Sequence, residues 1–305
     1  MKTWTRDEWQ TRRDAHLARV EGLAHAFLRR RSRGEKHPVE DFLFTYYQLP
    51  PTRLIEWFPP LHTAIEVRAD DLESMPWLQN APHLLRDGLW SLDPAQVTPR
   101  IRELAAWIAQ LCQNILARPP RLRCYGLHEW AMVYQQTAEQ VRHSGYTLRM
   151  PPEQLATFID SQNVCCSHYD AFRFFTPAAK PLNALQPVLE TRLELEQGGC
   201  LHTNMDLYKW SAKLLPWCGS DLVSECFLNA WQGRQLDMRA SPYELTALGY
   251  TPVKIETPEG RAEYECEQRR LAEAAVPLRE KLRQVAAELA KGEFGVPASA
   301  GKIHV

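Results

Sequence analysis

Apolar positions recur every three or four residues between positions 17 and 28, which is the spacing of one face of an α-helix. The stripe consists of Leu17, Val20, Ala24, Phe27 and Leu28. Thr5 and Glu8 precede it at the spacing of a capping box, in which each residue satisfies a backbone amide of the first turn. The pattern therefore predicts a helix that begins after Thr5 and ends near Gly34.

Two further stripes of this kind predict helices in the middle and near the end of the chain. The first comprises Ile101, Leu104, Ile108, Leu111, Cys112 and Ile115. The second comprises Leu271, Ala274, Ala275, Leu278, Leu282, Val285, Ala286 and Leu289. Pro277 lies inside the second stripe and should kink or interrupt that helix. Shorter helices are predicted over 127–141, over 153–159, and from His202 towards Leu236 with a break at Pro216.

Prolines divide much of the remaining chain into short connections. They are Pro50, Pro51, Pro59, Pro60, Pro76, Pro82 and Pro94 in the first such region, and Pro177, Pro181 and Pro187 in a second. We expect turns and irregular segments there, with a hairpin near 63–67, and either a short core helix or a buried strand over 39–47. The predicted fold is mainly α, a compact multi-helix single domain over 1–290 with long Pro-rich connections, followed by a flexible tail over 291–305.

Composition and charge narrow the possible functions only slightly. The 305 residues can bury a sizeable core, and a content of 24% charged and 45% hydrophobic residues argues against a largely disordered chain. Lysine and arginine number 36 against 37 acidic residues, which disfavours a protein whose only task is to coat nucleic acid. The arginine-rich segment 29–33 is either a solvated helix end or a phosphate-binding patch.

Cysteine usage and the lack of targeting signals predict a cytoplasmic protein. The eight cysteines are dispersed and include no CxxC motif, and the first residues carry no secretory signal. We therefore expect reduced thiols without disulfide bonds. No apolar run is long enough to cross a bilayer, so no membrane partner is expected. The oligomeric state is left open.

Histidine stands beside a carboxylate in three short segments of the middle of the chain. The pairs are His128 with Glu129, His168 with Asp170, and His202 with Asp206. The last pair would share one face of a helix, because positions i and i+4 are neighbours there. Each pair taken alone is explained by a structural hydrogen bond. Three such pairs within one stretch of chain also suggest a single shared site.

Two kinds of chemistry are open to such a site. Imidazoles and carboxylates act as general acids and bases near neutral pH. The same groups bind first-row metals, and under this alternative His128, His168 and His202 hold iron, manganese or zinc in a hydrolase or oxygenase that acts on a small molecule. None of the spacings matches a dedicated metal motif, and the chain has no GxGxxG, GxxxxGKS/T, GxSxG or HExxH motif.

Aromatic and basic side chains surround the histidine segments in the sequence. The candidates for stacking on a flat heterocycle are Trp130, Tyr169, Phe174 and Tyr208. The candidates for phosphate contacts are Arg173, Lys209 and Arg239. Under the simpler alternative, the aromatic residues fill a core and the cations lie on the surface.

Five longer motifs carry a resemblance to a known family. They are HPVEDFL at 37–43, GLHEWAMVY at 126–134, SHYDAFRFFTP at 167–177, GCLH at 199–202 with MDLYKW at 205–210, and LDMRASPY at 236–243. Over roughly 5–285 the chain resembles a bacterial family commonly named 3-methyladenine DNA glycosylase. The resemblance implies excision of a modified base from DNA. The chain has no helix-hairpin-helix with a Gly-hydrophobic-Gly turn, so no catalytic residue is carried over from helical glycosylases that use one.

Our leading prediction is therefore a DNA glycosylase that hydrolyses an N-glycosidic bond without a cofactor. Asp206 is the first candidate for its catalytic carboxylate, followed by Asp170 and Glu129, with His202 and His168 as acid–base partners. We expect Asp206→Asn to lower base release by roughly a hundredfold while the fold stays nearly intact. The alternatives are the metal-dependent enzyme and a non-catalytic helical scaffold.

Overall fold

The first predicted helix is present as α1, Arg6–Ser32, in the computed structural model, which describes residues 1–47, 49–137, 140–141 and 145–292. The backbone amide of Thr5 donates to Oε2 of Glu8 at 2.8 Å, and the Thr5 hydroxyl accepts from the Glu8 amide. The predicted capping box is therefore confirmed. It explains why the helix begins at this point, since two otherwise unpaired donors of the first turn are satisfied.

Twelve further α-helices follow in the described part of the chain. They are α2 Phe42–Tyr46, α3 Pro51–Ile55, α4 Ala69–Ser74, α5 Pro76–Asn80, α6 Pro99–Ala117, α7 Leu127–Ala131, α8 Pro152–Asp160, α9 Tyr169–Phe172, α10 Arg192–Leu195, α11 Leu201–Lys213, α12 Ser220–Arg239 and α13 Pro258–Lys291. Short 3₁₀ segments lie at Pro94–Gln96, Lys180–Leu182 and Thr246–Leu248. The fold is a compact, mainly α domain, as predicted.

A small sheet lies beside the N-terminal helix. Its strands are β1 Lys2–Trp4, β2 Thr63–Glu66, β3 His83–Arg86 and β4 Leu89–Leu92, in the order β1-β2-β4-β3. β1 pairs in parallel with β2, and β4 pairs antiparallel with both β2 and β3. The hairpin predicted near 63–67 is therefore wrong in place, because it lies at β3–β4. Asp87 and Gly88, which both have positive φ, form its turn, as Asp-Gly does in tight hairpins.

Two helix predictions need correction. The helix predicted over 127–141 ends at Ala131, and Gln135, with a φ of 54°, is in a left-handed conformation that an α-helix does not allow. The interruption considered at Pro277 is absent, since α13 passes through that residue. Pro277 is exposed, so the carbonyl group that loses its partner there can be solvated. Of the predicted tail, residues 293–305 lie outside the described residues.

Two hydrophobic cores meet at the middle of the molecule. The larger core packs α1, α6, α12 and α13 together and includes Trp9, Trp57 and Phe227. The smaller core includes Trp130 and Tyr264 and extends over α8 and α9. Helices α11 and α12 contribute to both cores, so their polar residues are buried where the two cores join. No helix in the described residues is long and apolar enough to span a membrane.

Candidate functional site

The three histidines predicted to form one site do come together. His128 lies on α7, His168 precedes α9 as its N-cap, and His202 lies in the first turn of α11. The ring centroids of His128 and His202 are 4.5 Å apart, and those of His168 and His202 are 5.5 Å apart. All three side chains are buried. The three rings converge as predicted, and His202 contacts both of the others. They do not line one cavity together, because His202 alone of the three is among the residues of the main cavity described below.

The first quartet consists of His128, Glu129, Arg234 and Asp237. Arg234 Nη1 donates to Glu129 Oε1 at 2.8 Å and to Asp237 Oδ2 at 3.0 Å. The other oxygen of Asp237 is 2.6 Å from His128 Nε2. Arg234 and Asp237 lie three positions apart on α12, so one helix face presents both of them to α7. The guanidinium thus links two carboxylates, and one of these holds the histidine.

The second quartet consists of His168, Arg192, Glu196 and Asp206. Arg192 donates to Glu196 Oε1 at 2.5 Å and to Asp206 Oδ2 at 2.7 Å. Asp206 Oδ2 is 3.2 Å from His168 Nε2. The hydroxyl of Tyr47, directly after α2, donates to Asp206 Oδ1 at 3.0 Å. The order glutamate–arginine–aspartate–histidine is the same as in the first quartet.

The buried charges shift the pKa values of two aspartates and of His202. Burial raises the pKa values of Asp206 and Asp237, but His168 and His128 outweigh it and hold both pKa values well below the usual carboxyl range. Burial lowers the pKa of His202, and the adjacent His128 lowers it further. His202 is therefore held neutral between the two ion-paired groups.

The predicted histidine–carboxylate pairs exchange partners in the structure. His128 bonds Asp237 in place of Glu129, and His168 bonds Asp206 in place of Asp170. Asp170 accepts from Lys209 Nζ at 2.9 Å instead. The pairs predicted from neighbouring positions in the sequence are therefore wrong for His128 and His168. The observed pairs form because α11 carries Asp206 and α12 carries Asp237 to the junction of the two cores.

A cavity of about 590 Å³ opens next to the first quartet, and we call it the main cavity. It is lined by Lys36, His37, Pro38, Asp41, Phe42, Thr45, Tyr46, Glu129, Met132, Tyr146, Asp170, Ala171, Arg173, Phe174, His202 and Arg234. Its buried polar residues are Asp41, Glu129, His202 and Arg234, of which the last three form its inner end beside the histidine cluster, whereas Lys36 and Arg173 are exposed. The main cavity therefore has a charged inner end and an aromatic wall, which consists of Phe42, Tyr46 and Phe174.

Five of the predicted site residues line the main cavity, and the others lie elsewhere. Those that line it are Glu129, Asp170, Arg173, Phe174 and His202. Asp206 and His168 belong to the buried second quartet, and Lys209 bonds Asp170. Trp130 and Tyr208 are fully buried in the smaller and the larger core, as the simpler alternative predicted. Tyr169 is not among the residues of this cavity.

Arg239, predicted to contact phosphate, is paired elsewhere on α12. Its guanidinium donates to the Thr251 carbonyl at 2.9 Å and to Glu263 at 2.8 Å. These contacts tie the end of α12 to the connection before α13 and to α13 itself. Arg239 therefore serves the packing of two helices, and it is not among the residues of the main cavity.

Two groups of buried residues could hold a metal ion, in place of the single three-histidine set considered from the sequence. One is His128, His202 and Asp237, and the other is His168, Glu196 and Asp206; within each, the ligand atoms lie within 4.8 Å of one another. In the second group, however, Arg192 already donates to both carboxylates. In the first group Arg234 donates to Asp237. A guanidinium so close would repel a metal cation, which disfavours a bound metal at either group.

Several residues of the site were not identified from the sequence. They are Tyr47, Arg192, Glu196, Arg234 and Asp237. Two signals were present, since Arg192 and Glu196 stand four apart and Arg234 and Asp237 three apart, as ion pairs on helices do. Charged residues with such spacing usually lie on a solvated face, so spacing alone could not reveal that these pairs are buried.

Comparisons of the chain with protein-family models, with curated proteins and with solved structures found no match.

Proposed function

We propose that this protein hydrolyses the N-glycosidic bond of a modified base in DNA, with the base held in the main cavity. The observation that carries the proposal is the lining of that cavity. It combines aromatic rings with the carboxylates of Glu129 and Asp170. A glycosidic bond breaks through an oxocarbenium-like sugar, which a carboxylate stabilises, and the base needs a flat apolar slot.

The aromatic wall suits a flat ring system. Phe42 and Tyr46 stack at a centroid distance of 5.0 Å, and Phe174 meets Tyr46 edge-on at 6.3 Å. A base that is alkylated on a ring nitrogen carries positive charge. Such a ring is attracted to aromatic faces by its charge as well as by stacking. Arg234 and Arg173 already lie over the rings of Phe42 and Phe174, so the wall supports the binding of a flat base without selecting for its charge.

The carboxylates take separate roles in the proposed reaction. Glu129, at the inner end, is the group that faces the developing positive charge on the sugar, and Arg234 holds it in position at 2.8 Å. Asp170 lies beside Lys209 and directs the attacking water. The neutral imidazole of His202 accepts the proton from that water. Asp206, bonded to His168, Tyr47 and Arg192, is buried in the second quartet and takes no part in this proposed reaction, in contrast to the expectation from the sequence.

Cations near the mouth of the main cavity are placed to contact the phosphate groups of DNA. Lys36 lines the main cavity and also a neighbouring depression that includes Arg31 of α1. Arg29, Arg31, Arg33 and Lys36 are all exposed. Arg30 differs, because it bonds Glu40 and Asp41. Of the two interpretations of the arginine-rich segment, its position favours phosphate contacts, which fix the register of DNA.

The test is release of free base from an alkylated DNA duplex by the purified protein. Glu129→Gln should lower release by roughly a hundredfold or more, as expected when a positioned electrostatic group is removed. Glu153→Gln is the matched control, because Glu153 is exposed at the start of α8. A wild-type rate in both Glu129→Gln and Asp170→Asn would overturn the proposal. Release that a chelator abolishes would instead support the metal-dependent alternative.

The DNA-binding cations are tested separately. The double variant Arg31→Gln with Lys36→Gln should weaken binding of the duplex and make it less sensitive to salt. The log–log slope should change by about one unit for each phosphate group that the variant no longer neutralises. Base release at saturating duplex should stay close to wild type. Unchanged binding would exclude this face as the DNA-binding surface.

A further inference from the structure

A second cavity, of about 510 Å³, lies next to the histidine cluster, where its lining residue Cys124 contacts His128. Four of the eight cysteines line it, and we call it the thiol cavity. They are Cys124, Cys165, Cys166 and Cys200. None of the residues described as lining it also lines the main cavity. All eight cysteines are free, as the sequence predicted. The proposed base excision makes no use of this cavity.

Cys124 contacts a histidine of the first quartet. Its Sγ atom is 3.4 Å from Nδ1 of His128, and Nε2 of that ring is 2.6 Å from Asp237 Oδ1. Cys124 stands four residues before His128, in the segment that leads into α7, and it is half-buried. Cysteine, histidine and aspartate thus form a chain in which the imidazole is bonded at both nitrogens. Such a chain is the arrangement of an activated thiol nucleophile.

Of the three histidines in the cluster, His128 is the one with a hydrogen-bond partner at both ring nitrogens among the described residues. Nδ1 of His168 and Nδ1 of His202 have no hydrogen-bond partner among the described residues, although both atoms are buried. Burial lowers the pKa of His128, yet Asp237 and Cys124 outweigh burial and raise that pKa well above its ordinary value. Nδ1 of His128 thus faces the Cys124 sulfur in an orientation that Asp237 fixes, so a proton can pass between the thiol and the imidazole.

The other cysteines of the thiol cavity lack this environment. Burial raises the pKa of Cys200 to about 12 and raises the pKa of Cys166 well above the ordinary thiol value. Burial also raises the pKa of Cys165, whose Sγ donates to the Arg123 carbonyl at 3.6 Å. These three thiols are thus held in their protonated, unreactive form.

We propose that Cys124, His128 and Asp237 form a second reactive site, which transfers the acyl group of a negatively charged acyl compound to the Cys124 sulfur. The negative charge follows from the lining of the thiol cavity. Arg121 and Arg123 line it and are exposed, and no acidic residue is among its described lining residues. An anionic group on the substrate would meet these two guanidinium groups, while the acyl carbon reaches Cys124.

The reaction balances with water as the only co-reactant. The Cys124 thiolate attacks the acyl carbon, a sulfur–carbon bond forms, and the bond from that carbon to the leaving group breaks. The leaving group takes the proton from Nδ1 of His128. Water then attacks the thioester while His128 accepts a proton, the sulfur–carbon bond breaks, and a carboxylic acid and the thiol are released. Asp237 orients the imidazole throughout.

The first experiment measures acylation by two activated esters, the neutral 4-nitrophenyl acetate and the anionic mono-4-nitrophenyl succinate. We expect a burst of about one equivalent of nitrophenolate per protein, the signature of covalent catalysis, and an acyl group on the Cys124 peptide by mass spectrometry. Cys124→Ser should abolish the burst. Cys266→Ser is the matched control and should leave it unchanged, since Cys266 is an exposed cysteine on α13. Absence of a burst with both esters overturns the proposal.

Charge selection is tested in a variant of the cavity mouth. Arg121→Gln with Arg123→Gln should lower the acylation rate with the succinate ester by at least about tenfold, the range expected when a charge-assisted hydrogen bond is removed. The rate with the acetate ester should stay close to wild type. An equal decrease with both esters would show that the arginines support the fold. An equal rate of the two esters in the wild type would remove the anionic substrate class.

A final measurement needs no substitution. At limiting iodoacetamide, Cys124 should be alkylated at least about tenfold faster than Cys266 in the same wild-type molecule, because a thiolate is the reacting form. A Cys124 no faster than Cys266 would contradict activation by His128. The site is separable from the proposed base excision, since Cys124→Ser should still release base from alkylated DNA. Loss of one activity without the other then identifies which proposal has failed.

Discussion

The two quartets repeat one arrangement of charges but differ in what they reach. In each, an arginine joins a glutamate to an aspartate, and the aspartate bonds a histidine. Glu129 and Arg234 of the first quartet line the main cavity. No member of the second quartet does so, and the side chains of Glu196 and Asp206 are 0% and 1% exposed. The same ion-pair arrangement thus supports an open site in one place and a sealed one in the other.

The difference comes from what covers each quartet. Tyr47 and Lys209 close over Asp206, and Asp170 lies on the outer side of Lys209. In the first quartet, Glu129 and Arg234 line the main cavity, and Cys124, which contacts His128, lines the thiol cavity. Buried ion pairs stabilise a fold only when every charge keeps its partner. We therefore expect the second quartet to control stability and the first to control reactivity.

The largest expected effect is on stability, from Arg192→Met. This change leaves Glu196 and Asp206 buried without their shared cation, so the free energy of unfolding should fall by about 3–5 kcal/mol. Arg269→Met is the matched control, because Arg269 forms an exposed pair with Glu265 on α13, and such pairs contribute only about 0–1 kcal/mol. Urea unfolding of both variants measures the difference. A decrease below about 1 kcal/mol for Arg192→Met would show that the second quartet does not hold the fold.

The next effect separates reactivity from stability. Glu129→Gln should lower base release by roughly a hundredfold. Glu196→Gln, at the equivalent place in the second quartet, should retain the rate of base release per folded molecule and lose stability instead. The measurements are base release under single-turnover conditions and urea unfolding of the same samples. Equal decreases of release in the two variants would remove the distinction between the quartets.

The pH dependence of stability should have opposite signs at neighbouring histidines. The pKa of His128 is raised in the folded state, so its stabilisation is complete below the unfolded value near 6.5 and is lost as the pH rises through the folded value. The pKa of His202 is lowered, so its neutral ring costs stability as the pH falls below about 6.5. Each can change the unfolding free energy by up to about 1.4 kcal/mol per pH unit.

Unfolding free energies between about pH 3 and 9 measure these two contributions. His202→Gln should remove a rise of stability with pH, and His128→Gln should remove a fall. If both variants change the profile in the same direction, the charge states assigned to the two rings are wrong. Below about pH 4 both profiles should fall together, because Asp206 and Asp237, whose pKa values are lowered, lose their stabilisation on protonation.

The smallest expected effect is that of added metal. Because Arg192 and Arg234 already pair with the carboxylates, zinc or manganese at micromolar concentration should shift the thermal midpoint by less than about 1 °C. Differential scanning calorimetry with and without a chelator measures this shift. A shift of several degrees would mean that a cation displaces a guanidinium, and the metal-dependent alternative would then gain support.

Much of the helical fold was predictable from the sequence. The stripes that predicted α1, α6 and α13 depend on local periodicity, and the capping box at Thr5 and Glu8 is complete within four residues. The β3–β4 hairpin also has a local signal in the sequence, since Asp87 and Gly88 form its turn. The end of α7 at Ala131 had no such signal, because neither glycine nor proline follows it before Gly145.

For the candidate site too, some features follow from neighbouring residues in the sequence, and others depend on residues that are far apart in the chain. The sequence by itself determined that His128, His168 and His202 each stand in a polar segment, and their number within one stretch predicted their convergence. Only the tertiary structure decided their partners, because Asp237 reaches His128 across 109 positions of chain and Asp206 reaches His168 across 38. Local spacing constrains neighbours on one helix, whereas the packing of α11 and α12 between two cores determines which charges are buried together.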